Sequence, residues 1–533
     1  METTKPTFRK MPTALAIIVF GAAILMIPAI INGSPFVFWD TNHYLAFGRL
    51  IDSPDPGAAI VTLQNDPALL SSPPSAEARR ILLEKAASYL GARSIAYSLF
   101  LSRTIDIATM WGTAFAQCAF VTACLFAALR SVMRSAPRLP GFLLLSAGLA
   151  AVTPLPIVAT LLIPDLFTAP MVLLIAALFA GWPGLKRHQI ALLAGVIGVC
   201  TLMHTSNAPI AFLTLLLGNV VLLLARRQLL QPLIGSALVA ASLFLALVIS
   251  VALTNHAEKS LGARPLQPPF LSARVIDDGP GKKYLQNHCS MSPYVLCQFA
   301  DRILSGKRGD KGDAMMFDSI KDNGGVYLVE DLSIRKRLRD ENLGFVRDSI
   351  VADIRGQIFA STWNFVKLML AFRVDHYWGH SQLTHTAETW RSEVGWLGGT
   401  ELTRLLPNID KCNQRPNEPC GALHLSSLRI PHYVSAILSF AFLAWHFFAK
   451  SGKRLRPSQW AAHDVFILIC LGGIVANAFV CGILAGPYDR YQLRVIWLLP
   501  ALAGAAILFF GQWNLSAASN QSTFASERPV ARR

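Results

Sequence analysis

The chain has 533 residues, of which 53% are hydrophobic and 15% charged, with a mean hydropathy of +0.43. A soluble domain carries about 25% charged residues, so this balance excludes an ordinary soluble protein and points to a polytopic membrane protein. The net charge of +16 comes from basic residues that recur in short loops between apolar runs, a positive-inside pattern that does not call for nucleic acid as a partner.

Lys5, Arg9 and Lys10 precede the first apolar run, residues 13–31. The run is long and Asn32-Gly-Ser-Pro-Phe36 is a poor cleavage site, so it reads as a retained anchor. Residues 32–107 are mostly polar and are placed outside. They open with Phe36-Val-Phe-Trp-Asp-Thr-Asn-His-Tyr44, which puts Asp40, Asn42, His43 and Tyr44 just beyond the membrane. Tyr44, Phe47, Leu50 and Ile51 have helical spacing and predict a helix along the interface. Ser53-Pro-Asp-Pro-Gly57 ends it. Ser75 as N-cap, with Glu77 in the first turn, starts a second short helix to residue 89.

The second crossing is predicted at 107–129, followed by Arg130, Arg134 and Arg138, and the third at 141–152. Thr153-Pro-Leu-Pro156 bends the chain, and 157–163 is too short to cross. Asp165 follows Pro164 and precedes the fourth crossing, 166–182, which ends near Lys186 and Arg187. The fifth, 190–203, ends at His204-Thr-Ser-Asn207, and the sixth, 208–224, ends at Arg226-Arg227. The seventh is 233–254. Residues 358–372 are apolar but short and hold Lys367, so they read as an interfacial helix. The eighth crossing, 430–448, ends in Lys450, Lys453, Arg454 and Arg456. The ninth is 465–484. Gly486-Pro-Tyr-Asp-Arg-Tyr-Gln-Leu-Arg494 forms an outer loop before the tenth, 495–510.

The predicted fold is therefore an all-α polytopic membrane protein with about ten transmembrane helices and one large extracytoplasmic loop domain, α-rich or mixed. Helices 1–7 occupy residues 1–254, the loop domain 255–425, helices 8–10 residues 426–511, and a cytoplasmic tail 512–533. Both termini fall on the cytoplasmic side. Of nine cysteines, Cys118, Cys124, Cys200, Cys470 and Cys481 lie in apolar runs. Cys289, Cys297, Cys412 and Cys420 form two close pairs in the polar segment, which predicts two local disulfides and an oxidising compartment. A zinc site is the alternative, with spacings wider than those of usual zinc knuckles. Loop charge and thiol placement agree on orientation.

Four polar clusters fall at outer helix ends: Asp40 with His43 and Tyr44; Asp165; His204 with Ser206 and Asn207; and Asp489-Arg490 with Arg494. Ionisable groups at such depth are functional candidates. Each also has a plainer reading. Asp40 is a fair N-cap, Asp165 a helix start, His204 a satisfied interfacial histidine, and Asp489-Arg490 a local ion pair. Arg490 and Arg494 also suit lipid phosphate without any catalysis. Chemistry at an outer face, away from ATP and nucleotide sugars, needs a membrane-borne donor such as a polyprenyl-phosphate sugar. It also needs a carboxylate base, and cations or a metal for the leaving phosphate.

The arrangement resembles the GT-C superfamily of integral membrane glycosyltransferases, which includes protein O-mannosyltransferases and lipid A aminoarabinose transferases. Those families carry an acidic residue just after the first membrane helix and a second between the third and fourth. Asp40, in Phe38-Trp-Asp-Thr-Asn-His-Tyr44, and Asp165, in Leu162-Ile-Pro-Asp-Leu-Phe167, hold these places. The resemblance covers the chain to about Arg227. The first loop lacks the paired acids of many members, and the large outer segment is not C-terminal. The chain also looks like uncharacterised bacterial membrane proteins with WDxxxY-like, IPD and DRYQxR segments.

The resemblance implies an enzyme of the bacterial inner membrane. It would transfer sugar from a polyprenyl-phosphate donor to a glycan, lipid or protein acceptor of the envelope. Asp40, Asp165 and His204 would be catalytic, with Asp40 and Asp165 as ligands of a divalent cation, Mg²⁺ or Mn²⁺. His43, Tyr44, Asn207, Asp489, Arg490 and Arg494 would bind substrate. Three rivals remain: a transporter or flippase of a lipid-linked or anionic solute; an O-antigen polymerase or ligase, for which Arg373, His376 and His380 speak; and a non-enzymatic component of envelope assembly.

Overall fold

The computed structural model describes residues 11–64, 74–133, 136–225, 230–374, 423, 425–449, 457 and 460–510. Among them every regular element is a helix, apart from one isolated parallel bridge between Phe36 and Leu161. Among the described residues, eight helices are long and apolar enough to cross a membrane, and two shorter apolar helices, Leu139–Val152 and Arg187–Met203, accompany them. The chain is thus an all-α protein of the polytopic membrane type.

Helix α1 (Met11–Asn32) leads through the bridge segment into α2 (Trp39–Asp52), α3 (Pro56–Gln64) and α4 (Ala76–Leu90). Ser75 caps α4 by accepting from the Ala78 N–H, as its sequence suggests. Helix α5 (Ile95–Met133) begins twelve residues before the expected crossing. Its backbone breaks at Thr109, where φ is +61°. The break separates the long apolar part from a more polar N-terminal part that carries Arg103 and Asp106. That N-terminal part lies along α2, with Arg103 paired to Asp52 at 2.8 Å and Asp106 to Arg49 at 2.9 Å. Gly48 permits the close contact, since a Cβ there would collide with the Ser98 carbonyl oxygen and the Ser102 hydroxyl.

Helix α6 (Leu139–Val152) and the short α7 (Leu155–Thr160) are followed by a tight turn at Pro164–Phe167 and by α8 (Thr168–Gly181). Every residue of α8 is buried. An apolar helix buried on all sides is the middle of a bundle. It packs against α5, α9 (Arg187–Met203), α10 (Asn207–Leu224) and α19 (Ala462–Leu484). Helix α11 (Leu230–Leu261) is peripheral, with Phe244, Leu245 and Leu247 exposed. It runs past the expected end at 254, because Ala257 and Leu261 pack into a small core with α2, α3 and α4.

A further core joins α12 (Phe270–Asp278), α13 (Pro280–Asn287), α14 (Ala300–Ser305), α15 (Lys311–Phe317) and α16 (Leu332–Ala352). Cys289 and Cys297 are disulfide-bonded at its edge. The other expected pair, Cys412 and Cys420, lies outside the described residues, as does the tail from 511. Helix α17 (Ile354–Leu370) rests on α19. Helix α18 (Arg429–Ala449), α19, α20 (Asp489–Ile496) and α21 (Leu498–Ala505) complete the bundle.

Candidate functional site

Chain direction brings the same end of the bundle to the C-terminus of α1, the turn before α8, the α9–α10 junction and the start of α20. The four polar clusters meet there. Four of their charged members, joined by Arg93, form one alternating chain: Arg93, Asp40, Arg490, Asp165, Arg494. The links are 2.7 Å from Arg93 Nη2 to Asp40 Oδ1 and 3.1 Å from Arg490 Nη1 to Asp40 Oδ2. Arg490 Nε lies 3.3 Å from Asp165 Oδ2, and Arg494 Nη1 lies 3.0 Å from Asp165 Oδ1. Three cations face two anions, so the chain carries one net positive charge before any ligand arrives.

Asp40 is not the cap of α2. The helix starts at Trp39, and the Thr41 hydroxyl accepts from the Phe38 N–H at 2.9 Å. The Asp40 carboxylate is left for the two guanidiniums. Burial pushes its pKa up, but Arg93 and Arg490 outweigh this and hold it down at about 2. His43, one turn along, lies between Tyr89 (Nε2 to hydroxyl, 3.1 Å) and Arg93 (Nδ1 to Nη2, 3.3 Å). Arginine only donates, so Nδ1 accepts and the proton sits on Nε2. Burial, then Arg93, lowers the His43 pKa to about 3, so the ring is neutral. The Tyr44 ring lies 6.0 Å from the Arg93 guanidinium and edge-on to Tyr97.

Asp165 is held in the Pro164–Phe167 turn. His204 Nε2 lies 3.5 Å from its Oδ1. His204 Nδ1 accepts from the Ser206 N–H at 3.1 Å, which leaves the proton on Nε2, facing Asp165. Burial, then Arg494, lowers the His204 pKa to about 3. Arg494 is wholly enclosed. Besides Asp165 it donates to Asn477 Oδ1 from Nε at 3.0 Å and from Nη2 at 2.9 Å, and to the Ser206 hydroxyl at 3.0 Å. Arg490 lies over the rings of Phe38 and Tyr491, 4.9 Å from each centroid.

Two expected binders stand apart from this chain of charges. Asn207 accepts from the Thr168 hydroxyl at 2.8 Å and donates to the Cys200 carbonyl at 2.8 Å, so it fastens the α9–α10 junction that carries His204. Asp489 accepts from the Arg373 N–H at 2.7 Å and thereby anchors the chain just after α17. His376 and His380 lie outside the described residues. Arg93 and Asn477 were not singled out in the sequence. Asn477 had a signal, a polar residue inside an apolar run. Arg93 had little, since it is one of several arginines in an outer loop.

Beside Asp165, Arg490 and Arg494 lies a cavity of ≈ 10 Å³, walled by Pro154, Val158 and Val374, with room for about one water. A divalent cation between Asp40 and Asp165 does not fit these residues. Arg490 already stands between the two carboxylates, and the cluster's charge is positive. Comparison with known proteins finds no matching family model, curated protein or solved structure. The geometry of the cluster therefore carries the functional argument.

Proposed function

We propose that the chain is a membrane glycosyltransferase that moves sugar from a polyprenyl-phosphate donor to an envelope acceptor at the outer face of the inner membrane. In this reading it crosses ten times, using the eight long apolar helices and the two shorter ones. Its termini lie with the basic loops in the cytoplasm, and residues 255–425 lie outside. The observation that supports the reading is the chain of three arginines and two aspartates gathered from separate helix ends. A phosphate binds guanidinium at least as well as a carboxylate does. The donor phosphate takes Arg490 and Arg93, and Asp40 loses the partners that depress its basicity. Asp40 then accepts the proton of the acceptor hydroxyl as that oxygen bonds to the anomeric carbon. The bond from that carbon to the phosphate oxygen breaks, and polyprenyl phosphate leaves on the arginines. Asp165, fixed by Arg494, holds Arg490 in line, and His204, whose Nε2 faces Asp165, helps to position that carboxylate.

The test uses the purified protein in lipid, a polyprenyl-phosphate-sugar extract and an envelope acceptor extract. Wild type should release polyprenyl phosphate and Asp40→Asn should not, while both reach the membrane at equal level. Full activity in Asp40→Asn removes that residue from the mechanism. One observation favours a second reading. Arg494 and Asp165 lie inside the bundle, at 0% and 2% side-chain exposure, as a carrier of anionic lipid would place them. A carrier would bind or move the phospholipid-linked sugar and leave its glycosidic bond intact.

A further inference from the structure

At the other end of the bundle, about 20 Å along α19 from the Asn477 that holds Arg494, three ligand-type side chains converge. They are His446 in the last turn of α18 and His463 and Asp464 in the first turn of α19. We propose that they form a zinc-class metal site that clips α18 to α19, independent of the arginine–aspartate chain.

The argument starts from distances. His446 Nε2 lies 3.2 Å and His463 Nε2 3.4 Å from the same oxygen, Asp464 Oδ1. All three ligand atoms lie within 4.8 Å of one another. A tetrahedral zinc with bonds of about 2.0–2.1 Å keeps its ligand atoms about 3.3–3.4 Å apart. Two edges of that tetrahedron already have the right length, and the third is no longer than 4.8 Å.

The second observation is the support behind the ligands. Asp464 Oδ2 accepts from the Ala461 N–H at 3.0 Å, which fixes the carboxylate with Oδ1 towards the two imidazoles. Asp464 is buried at 5% side-chain exposure, while His446 and His463 are at 16% and 17%. The carboxylate is thus the floor of the site, and the half-open imidazole side admits water as a fourth ligand. Two imidazole nitrogens and one carboxylate oxygen suit Zn²⁺ or Co²⁺ and not Mg²⁺ or Ca²⁺, which prefer all-oxygen sites. Because the ligands come from two successive helices, the metal ties the end of one to the start of the next.

The test uses tag-free, full-length protein in detergent, stripped of metal and titrated with Co²⁺. Wild type should take up one Co²⁺ per chain with the visible absorption of a tetrahedral site, and Zn²⁺ should displace it. His446→Gln/His463→Gln leaves Asp464 in place as the α19 cap and should weaken binding by more than about 100-fold. His188→Ala, an exposed histidine at the same end of the bundle, should change nothing. Zn²⁺ should raise the thermal midpoint of wild type but not of the double variant. An octahedral spectrum, or equal binding by wild type and a monodisperse double variant, overturns the proposal.

Discussion

The two ends of the charge chain use the same chemistry in different surroundings. The inner pair, Arg494 and Asp165, is sealed, and neutral groups from the α9–α10 junction and α19, Ser206 and Asn477, accept from Arg494 Nη2 and Nε. The outer pair, Arg93 and Asp40, keeps 13% and 19% side-chain exposure. A sealed ion pair cannot exchange its partner for a ligand without unpacking the bundle. A half-open one can. The inner half therefore holds the turn before α8, α10, α19 and α20 together, and the outer half is where a phosphate-bearing ligand would enter.

The largest effect should come from breaking the sealed half. Arg494→Ala leaves Asp165 with Arg490 alone of its two arginines, strands the buried Asn477 oxygen and opens a cavity, so it should cost about 3–5 kcal/mol, enough to deplete the protein from membranes. Asp165→Asn/Arg494→Gln removes both charges and should recover most of that loss, as a double-mutant cycle in detergent would read. If Arg494→Ala is no worse than Arg93→Ala, the division into a structural and an exchangeable half is wrong.

Arg93→Ala comes next. It removes one of two cations on Asp40, which keeps Arg490 and some solvent, so the cost should be about 1–3 kcal/mol. Membrane level should stay near wild type while binding of a polyprenyl phosphate falls by about tenfold or more, as titration with a fluorescent prenyl phosphate would measure. Unchanged binding would move the ligand away from the outer half.

The membrane class, the positions of the apolar helices and the meeting of Asp40, Asp165, His204, Arg490 and Arg494 were all legible in the sequence. Hydropathy marks the spans, and alternation of direction puts those residues at one end. Three features were not legible. Arg93 reaches Asp40 only because α5 extends N-terminally past Thr109 and lies along α2, and the polar residues there hide such an extension from a hydropathy reading. The bond from Asp489 to the Arg373 backbone spans more than one hundred residues, and no local spacing encodes it. The direct contact of both aspartates with Arg490 depends on one side chain reaching between them.

The last effect concerns the histidines, one in each half. His43 beside Arg93 and His204 beside Arg494 are both neutral in the fold, with pKa values lowered from 6.5 to about 3 by burial and by the neighbouring cation. In the unfolded chain both protonate below about 6.5. Between those values the unfolded state binds more protons, so stability falls as pH falls, by up to about 1.4 kcal/mol per pH unit for each ring. Asp40 acts in a different window. Its carboxylate contributes stability above about 3.8, and this is lost as pH falls towards 2, so it adds nothing to the slope between pH 7 and 5. The thermal midpoint should therefore drop over that range, and His43→Gln and His204→Gln should each flatten the drop. A slope that neither substitution changes would mean that both rings already carry their protons, which would add two positive charges to a chain that holds one.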